Sequence, residues 1–401
     1  MRRFPNTGKY MLVVAAGLLL AGCCRSNKIS ISQDVDDIPI LLSVKSTGTK
    51  AIIDESDDSN AKQKMIWYSF DGGGFGVHGY KTVNTQSPFH LFDNTRVYPA
   101  VSKPNNLDEV DDANTPWTYS PLRFWDLTAS YQFLAYWPIL PAYNANNSSV
   151  LSVSAPDYPA TVDAEILTIH NVPNWQPVNG SEKDLMTAAE GGRFSPDFYT
   201  GVVPLHFKHM LSQLVIKAYY IGVDYDKNDG PGVKIKDIIL GKSANNDKVL
   251  GDGSTDMRQA YSDNTASPAT GEGVNGIDMA DSYTLLSSDK LSDDDIRVNY
   301  KDEADDDTSV NPSLVGKWLF IPHKWQDLTI SVNRKFGNKN TAYSEPVPVT
   351  LGTQHDSYRT LPGKIYVLTL MFDTSDGGLT VASVDVQNWT EQKVTREVYN
   401  W

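Results

Sequence analysis

Residues 203–222 read VPLHFKHMLSQLVIKAYYIG, near the middle of a 401-residue chain. Apolar and polar residues alternate over 203–208, pause over 209–212, and alternate again over 214–220. Alternation with a period of two is typical of half-buried strands. A single amphipathic helix is the alternative, because several apolar residues here also suit helical spacing. We favour two strands with a short break, since the second half is rich in valine, isoleucine and tyrosine, which favour sheets.

The length and composition of the chain extend this interpretation in both directions. Hydrophobic residues make up 40% of the positions, which is enough for two cores, since domains usually span about 100–200 residues. The 9 Trp, 20 Tyr and 13 Phe suit sheets better than helical bundles. Most patterned segments read as strands, so we predict an all-β protein of two tandem β-sandwiches. We expect an N-terminal sandwich over residues 51–201 and a C-terminal sandwich, with its tail, over residues 202–401.

Charge and cysteine usage narrow the function. The formal net charge is -14 at pH 7, and nucleic acid is therefore not expected as a partner, because phosphate binding needs a basic patch. The only cysteines are Cys23 and Cys24. The body that follows them can hold no disulfide, no thiolate metal site and no cysteine nucleophile.

The N-terminus has the pattern of an exported lipoprotein. Residues 1–22 combine a basic start with an apolar run that is too short to span a bilayer. They end in Leu-Ala-Gly before Cys23, which is a lipobox, so we predict a lipoprotein signal peptide and lipidation of Cys23. Acyl chains would then hold the protein on a membrane surface without a spanning helix.

Residues 23–50 are predicted to form a polar tether and a releasable first strand. Alternation over residues 38–45 indicates the strand, and Ser-Thr-Gly-Thr-Lys50 ends it. Trypsin-like cleavage between Lys50 and Ala51 would cut this strand from the chain while leaving it in place. A plain loop at Lys50 is the alternative.

Three kinds of segment resemble nucleotide-binding or cation-binding sites, but the residues in or around them favour other interpretations. Gly74, Gly76 and Gly79 fit the dinucleotide fingerprint, but β-forming residues follow where that fingerprint needs a helix. Residues 224–230 resemble a calcium loop without its glycine and glutamate, and we read them as a hairpin turn. The acidic runs at 293–295 and 302–307 are expected to be solvated loops, with cation binding as the alternative.

No catalytic constellation is evident in the sequence. Neither a G-x-S-x-G elbow nor an H-E-x-x-H motif occurs, and a strand would send His206 and His209 to opposite faces. We therefore expect no enzyme, no metal site and no cofactor. A glycosidase pair among the many carboxylates is the alternative, since its two members need be close only in space. The aromatic stretch 116–141 could form a carbohydrate platform, but a packed sandwich core is the favoured interpretation.

Motifs along most of the chain resemble, in order, those of the fimbrillin family, the type V pilins of Bacteroidia. The family-like segments are the lipobox; Thr-Lys-Ala-Ile at 49–52; Phe-Leu-Ala-Tyr-Trp-Pro at 133–138; Asp-Leu-Met-Thr-Ala at 184–188; Leu-His-Phe-Lys-His-Met-Leu-Ser-Gln-Leu at 205–214; Gly-Lys-Ile-Tyr-Val-Leu-Thr-Leu at 363–370; and Val-Gln-Asn-Trp at 386–389.

The resemblance implies two transthyretin-like sandwiches and a structural or adhesive subunit of a surface fimbria. In this family a protease removes the first strand, and a C-terminal strand of a neighbouring subunit replaces it. The matching cleavage position is Lys50–Ala51, where the family more often has arginine. The donor strand would come from the short tail, whose apolar members are Val394, Val398, Tyr399 and Trp401.

The resemblance also implies partners and a location. Other fimbrial subunits, the outer membrane through the lipid anchor, and a ligand on a host or bacterial surface are the expected partners. The protein would reside at the cell outer membrane and in the fimbrium. Two alternatives are a tip or anchor subunit that donates no strand, and a surface glycan-binding lipoprotein.

Overall fold

A computed structural model describes a large part of the chain. The described residues are 38–45, 74–83, 86–101, 116–126, 128–155, 166–178, 184–192, 202–223, 232–242, 249–260, 266–268, 277–287, 296–301, 312–325, 328–336, 342–351, 354, 358–375 and 378–388. Within these ranges no helix is long and apolar enough to cross a membrane.

The described residues are almost entirely strands, and the single helical element is a 3-10 turn at Ala145–Asn147. The strands before residue 210 are β1 (Leu41–Lys45), β2 (Phe75–Val83), β3 (Phe89–Pro99), β4 (Trp117–Thr118), β5 (Ala129–Trp137), β6 (Ser152–Ser154), β7 (Ile166–Pro173), β8 (Gln176–Pro177), β9 (Met186–Gly192), β10 (Val202–His206) and β11 (Lys208–His209).

Strands continue through the second half of the chain. They are β12 (Ser212–Ile221), β13 (Val233–Gly241), β14 (Val249–Ala260), β15 (Ala266–Pro268), β16 (Ile277–Ala280), β17 (Ser282–Leu286), β18 (Arg297–Tyr300), β19 (Ser313–Phe320), β20 (Leu328–Phe336), β21 (Ala342–Tyr343), β22 (Val347–Val349), β23 (Lys364–Asp373) and β24 (Leu379–Asn388). The all-β prediction is confirmed.

The central stretch forms strands and not a helix. Strands β10 and β12 cover its two alternating halves, and the two-residue β11 occupies part of the break between them. The prediction of two strands with a short break is therefore confirmed. The helical alternative fails because Leu214, Ile216, Ala218 and Tyr220, which alternate on one face of β12, are all fully buried.

In the first half of the chain, a six-stranded sheet packs against a parallel pair of strands. The sheet has the order β11-β9-β5-β2-β3-β4, and β1 pairs with β10 beside it. Their inward side chains share one core, which includes Phe75 and Val77 of β2, Phe133 of β5, Leu42 of β1 and Leu205 of β10.

A larger core lies in the second half of the chain. An extended sheet of order β21-β20-β13-β18-β12-β19-β8 also carries β17, β22, β23 and β24, and β23 runs parallel to β12. Leu214 of β12, Ile238 of β13, Ile330 of β20 and Leu368 of β23 meet in this core.

Contacts cross the division that the sequence suggested at residues 201 and 202. Strand β7 pairs with β14, and β8 pairs with β19. A third hydrophobic cluster contains Leu134 and Tyr136 of β5 together with Val215 of β12, Leu319 of β19 and Val367 of β23. The boundary itself stays a prediction, but strands of the first half contribute directly to the sheets of the second.

The glycine-rich segment is a strand, as expected. Gly76 and Gly79 lie inside β2, and a Cβ at Gly76 would overlap the ring of Tyr136. A Cβ at Gly79 would lie 2.6 Å from Phe92. These glycines therefore make room for aromatic rings that lie over the backbone.

Candidate functional site: the groove of the first strand

Strand β1 fills a groove among the strands of the first half of the chain. It runs parallel to β10 with continuous register, from Leu41 opposite Val202 to Lys45 opposite His206. The Ser43 hydroxyl also reaches the carbonyl of Val203 at 3.5 Å. The strand predicted over residues 38–45 is therefore present and belongs to a sheet.

The residues just before β1 bind the opposite wall of the groove. The Ile40 N–H donates to the Arg123 carbonyl at 2.8 Å, and the Trp125 N–H donates to the Ile38 carbonyl at 2.9 Å. Pro39 and Phe124 form an antiparallel bridge between these two bonds. The segment thus pairs with two parts of the chain, since residues 38–40 pair with residues 123–125 and residues 41–45 pair with β10.

Tyr119 holds the backbone just before β1 through a buried hydrogen bond. The Tyr119 hydroxyl donates to the Ile40 carbonyl at 2.6 Å, and both groups are buried. The Arg123 N–H approaches the same hydroxyl oxygen at 3.3 Å. Burial raises the pKa of Tyr119 to about 12, so the hydroxyl keeps its proton and its role as a donor.

Side chains of this segment contribute to the hydrophobic core. Ile40 is fully buried and Leu42 is 2% exposed, and both pack in the same cluster as Val203, Leu205 and Phe207. Ile38 and Val44 are partly buried against this cluster. Burying two such side chains stabilises by roughly 1.5–3 kcal/mol each, so an empty groove would expose a continuous apolar surface.

A titratable cluster lies next to this groove. Glu190 of β9 is 3.7 Å from His206 of β10, the residue opposite Lys45. Burial raises the pKa of Glu190 to about 7, although Lys208 acts in the other direction. His209 instead binds Asp184 at 2.9 Å, so the two histidines of the central stretch have separate partners.

The other predicted site residues lie outside the described residues. This applies to the calcium-like loop at 224–230, to the acidic runs at 293–295 and 302–307, and to the following single residues: Cys23, Lys50, Ala51, Val394, Val398, Tyr399 and Trp401. Lipidation, cleavage and strand donation therefore stay predictions.

Most rings of the aromatic stretch are buried. The buried members are Trp117, Tyr119, Trp125, Tyr131, Phe133, Tyr136 and Trp137, while Phe124 is 44% exposed. A carbohydrate platform needs exposed rings, so the interpretation as a sandwich core is favoured.

One polar constellation was not predicted from the sequence. Ser154 Oγ lies 2.7 Å from His170 Nε2, and His170 Nδ1 lies 2.9 Å from Asp256 Oδ2. The three residues sit on β6, β7 and β14, and the Tyr143 ring stacks on the imidazole at 4.1 Å. The same atoms form the relay of serine hydrolases. Here Ser154 lies on a regular strand and not on an exposed elbow, so we read the chain of bonds as a clamp across three strands.

Comparison with known proteins gives a consistent picture. The family model described as "Fimbrillin-like" matches residues 70–389. No curated protein sequence matches this chain. The crystal structure of a fimbrial protein from Bacteroides vulgatus is 16% identical, with a TM-score of 0.55, and the match covers 88% of this chain and 99% of that one.

A second solved structure is more distant. A putative cell adhesion protein from Bacteroides uniformis is 14% identical, with a TM-score of 0.44, and the match covers 88% of this chain and 98% of that one. At 16% identity, the fimbrial structure from Bacteroides vulgatus speaks for the fold alone. The family model spans most of the chain, from β2 to the end of β24, and the chain therefore belongs to the fimbrillin-like family.

Proposed function

We propose that this protein is a structural or adhesive subunit of a cell-surface fimbria, and that its subunits join by exchange of the first strand. The observation that carries the proposal is the placement of Ile40 and Leu42. They complete a core built by other strands, and the backbone around them pairs with residues 123–125 and with β10.

The energetics of the groove explain why the strand could be exchanged but not simply lost. While the chain is intact, β1 is tethered and its local concentration at the groove is high. Cleavage at Lys50–Ala51, five residues after Lys45, would remove that advantage and leave only the noncovalent contacts. A strand from another subunit with alternating apolar residues could then compete, because it offers the same backbone bonds.

The C-terminal tail is the proposed donor. It follows β24, which lies beside β23 at the margin of the second-half sheet. Val394, Val398, Tyr399 and Trp401 provide the apolar side chains. Lipidation at Cys23 would hold the precursor at the outer membrane until cleavage.

Limited trypsin digestion tests the exchange. The full chain should yield a species that begins at Ala51 and, with time, a ladder of oligomers that resists mild detergent. Lys50→Ala should block both, whereas Lys45→Ala, its matched control, should block neither. A chain that lacks residues 390–401 should be cleaved normally but should not form the ladder.

Two results would overturn the exchange. One is a ladder that forms equally well from the Lys50→Ala chain. The other is a cleaved chain that keeps its first strand indefinitely in the presence of free tail peptide. Cleavage without a ladder in the full chain would support the alternative role of a tip or anchor subunit.

A further inference from the structure

We propose that His78, His90 and Asp93 form a binding site for a divalent transition metal of the zinc class. The three residues come from the hairpin of β2 and β3, on the side of the sheet away from the core that holds β1. The first-strand groove makes no use of them.

Irregular pairing of the two strands brings the three residues together. The register between β2 and β3 shifts between Val77 and Gly79 and again between Gly79 and Tyr80. Asn94, which follows Asp93, has a φ of 43°, in the left-handed region that non-glycine residues rarely adopt. A regular hairpin would leave Asp93 further along β3, whereas the bulged one brings its carboxylate to the imidazole of His78.

The distances match those of a small coordination shell. His78 Nδ1 lies 3.3 Å from His90 Nε2 and 3.8 Å from Asp93 Oδ1. One ligand atom of each residue lies within 4.8 Å of the other two. In tetrahedral zinc sites with bonds of about 2.0–2.1 Å, neighbouring ligand atoms are roughly 3.3 Å apart, so a modest closure of Asp93 would complete the shell.

The surroundings hold the ligands in place. The His90 ring stacks on Tyr80 at 4.8 Å, and on the other side it faces His78 at 5.4 Å. The Asn94 N–H lies 3.4 Å from His78 Nδ1 and would give up this weak contact to a bound metal. The Asn94 side chain bonds both Tyr136 and the Leu140 carbonyl, which fixes the backbone next to Asp93. Such supporting contacts orient metal ligands and are a regular feature of metal sites.

The buried His78 ring directs its Nδ1, and not its Nε2, at the other two residues. It is 4% exposed, and its Nε2 has no hydrogen-bond partner among the described residues. A buried imidazole whose other nitrogen faces a second imidazole and a carboxylate is a ready metal ligand.

The donor set selects the type of ion. Two imidazoles and one carboxylate suit Zn²⁺ and its neighbours, whereas Ca²⁺ and Mg²⁺ prefer shells of oxygen alone. Three protein ligands leave one position open. The Asp93 side chain is 80% exposed, so the cluster is accessible from solvent on its carboxylate side.

The alternative is a hydrogen bond between two neutral imidazoles, with His90 Nε2–H donating to His78 Nδ1. That arrangement needs no metal and no carboxylate. The two readings differ in what Asp93 contributes and in whether the hairpin saturates with one ion.

Titration with ZnCl₂ and CoCl₂ tests the site. The full chain would carry Cys23→Ser and Cys24→Ser, because both thiols bind zinc, and no histidine tag. We expect one Zn²⁺ per chain, unaffected by excess Ca²⁺, and a Co²⁺ complex with the intense visible bands of tetrahedral coordination. His90→Gln and Asp93→Asn should each weaken binding by at least about tenfold.

The control is Asp281→Asn, which changes an exposed carboxylate that pairs with Lys242 and lies far along the chain. It should bind Zn²⁺ like the parent. Wild-type affinity in both His90→Gln and Asp93→Asn would overturn the proposal, as would a parent chain that shows no saturable binding. Circular dichroism of each variant establishes that loss of binding does not reflect loss of fold.

Discussion

The hydroxyl of Tyr119 and the carbonyl of Ile40 are 2.6 Å apart in a buried hydrogen bond, although 79 residues separate them along the chain. This bond connects the first strand to a segment that stays behind if the strand leaves. Its strength should therefore affect both the stability of the fold and the retention of the strand.

Replacing Tyr119 by Phe leaves the ring in the core and removes the donor. We expect a loss of about 1–2 kcal/mol in the free energy of unfolding, because the Ile40 carbonyl stays buried. After trypsin cleavage, the first strand should also dissociate faster, as measured by the release of its peptide. Tyr300→Phe is the matched control, since Tyr300 donates to the Gly222 carbonyl at 3.1 Å in the other half of the chain. Equal release rates in the two variants would contradict this role of Tyr119.

Gly76 is required by the ring that covers it. Gly76→Ala places a methyl group where the Tyr136 ring lies, and we expect a loss of about 1–3 kcal/mol from overpacking. Urea denaturation would measure it. Combining Gly76→Ala with Tyr136→Leu removes the clashing ring atoms, so the double variant should lose less than the sum of the single changes. Strict additivity would show that the contact with Tyr136 is not the cause.

Glu190 should make stability depend on pH. Its pKa is about 7 in the fold, against a usual value near 4.5, so the folded chain holds a proton that the unfolded chain releases. Stability should therefore fall as the pH rises from about 4.5 to 7 and stay reduced above 7. Glu190→Gln should remove this slope and stabilise by about 1–2 kcal/mol at pH 8, after allowance for partial exposure.

The matched control for that change is Glu345→Gln, because Glu345 is exposed. Unfolding curves at pH 4 and pH 8 are sufficient. A Glu190→Gln variant that is less stable than the parent at pH 8 would show that the ionised carboxylate makes a favourable bond there.

The hydrogen bonds that join Ser154, His170 and Asp256 should stabilise the fold, and we expect no hydrolysis of esters by Ser154. His170→Ala removes two bonds across β6, β7 and β14, and we expect a loss of about 2–3 kcal/mol, against about 1 kcal/mol for Ser154→Ala. A fluorophosphonate probe should not label the folded protein. Labelling that Ser154→Ala abolishes would mean that the relay activates its serine, and that the protein has a hydrolytic activity.

Local pattern predicted the strands well where one face is buried throughout. The alternation over residues 214–220 predicts a strand, and β12 covers these residues. Strand β3 was not predicted. Its burial does not alternate regularly, because the two register shifts and the left-handed Asn94 interrupt the period that a sequence pattern relies on.

Sites that depend on distant pairing were out of reach for the same physical reason. Ser154 and Asp256 both contact His170 only because β7 lies between β6 and β14. Nothing in the sequence near either residue encodes that strand order. The site at His78 and His90 has no local sequence signal, since these residues are neighbours only across a bulged hairpin. By contrast, the first strand was predictable, because its apolar residues alternate regularly within one short segment of the chain.

Parallel pairing of β1 with β10 gives the groove a direction. If an incoming strand keeps this orientation, it can occupy the groove in only one sense, and each molecule then contacts the next through two unlike surfaces. Contacts of that kind are not self-complementary, and they generate an open filament when successive rotations do not close a ring. The resulting filament would have two chemically different ends. Growth at one end and attachment at the other would then follow from the direction of a single five-residue strand.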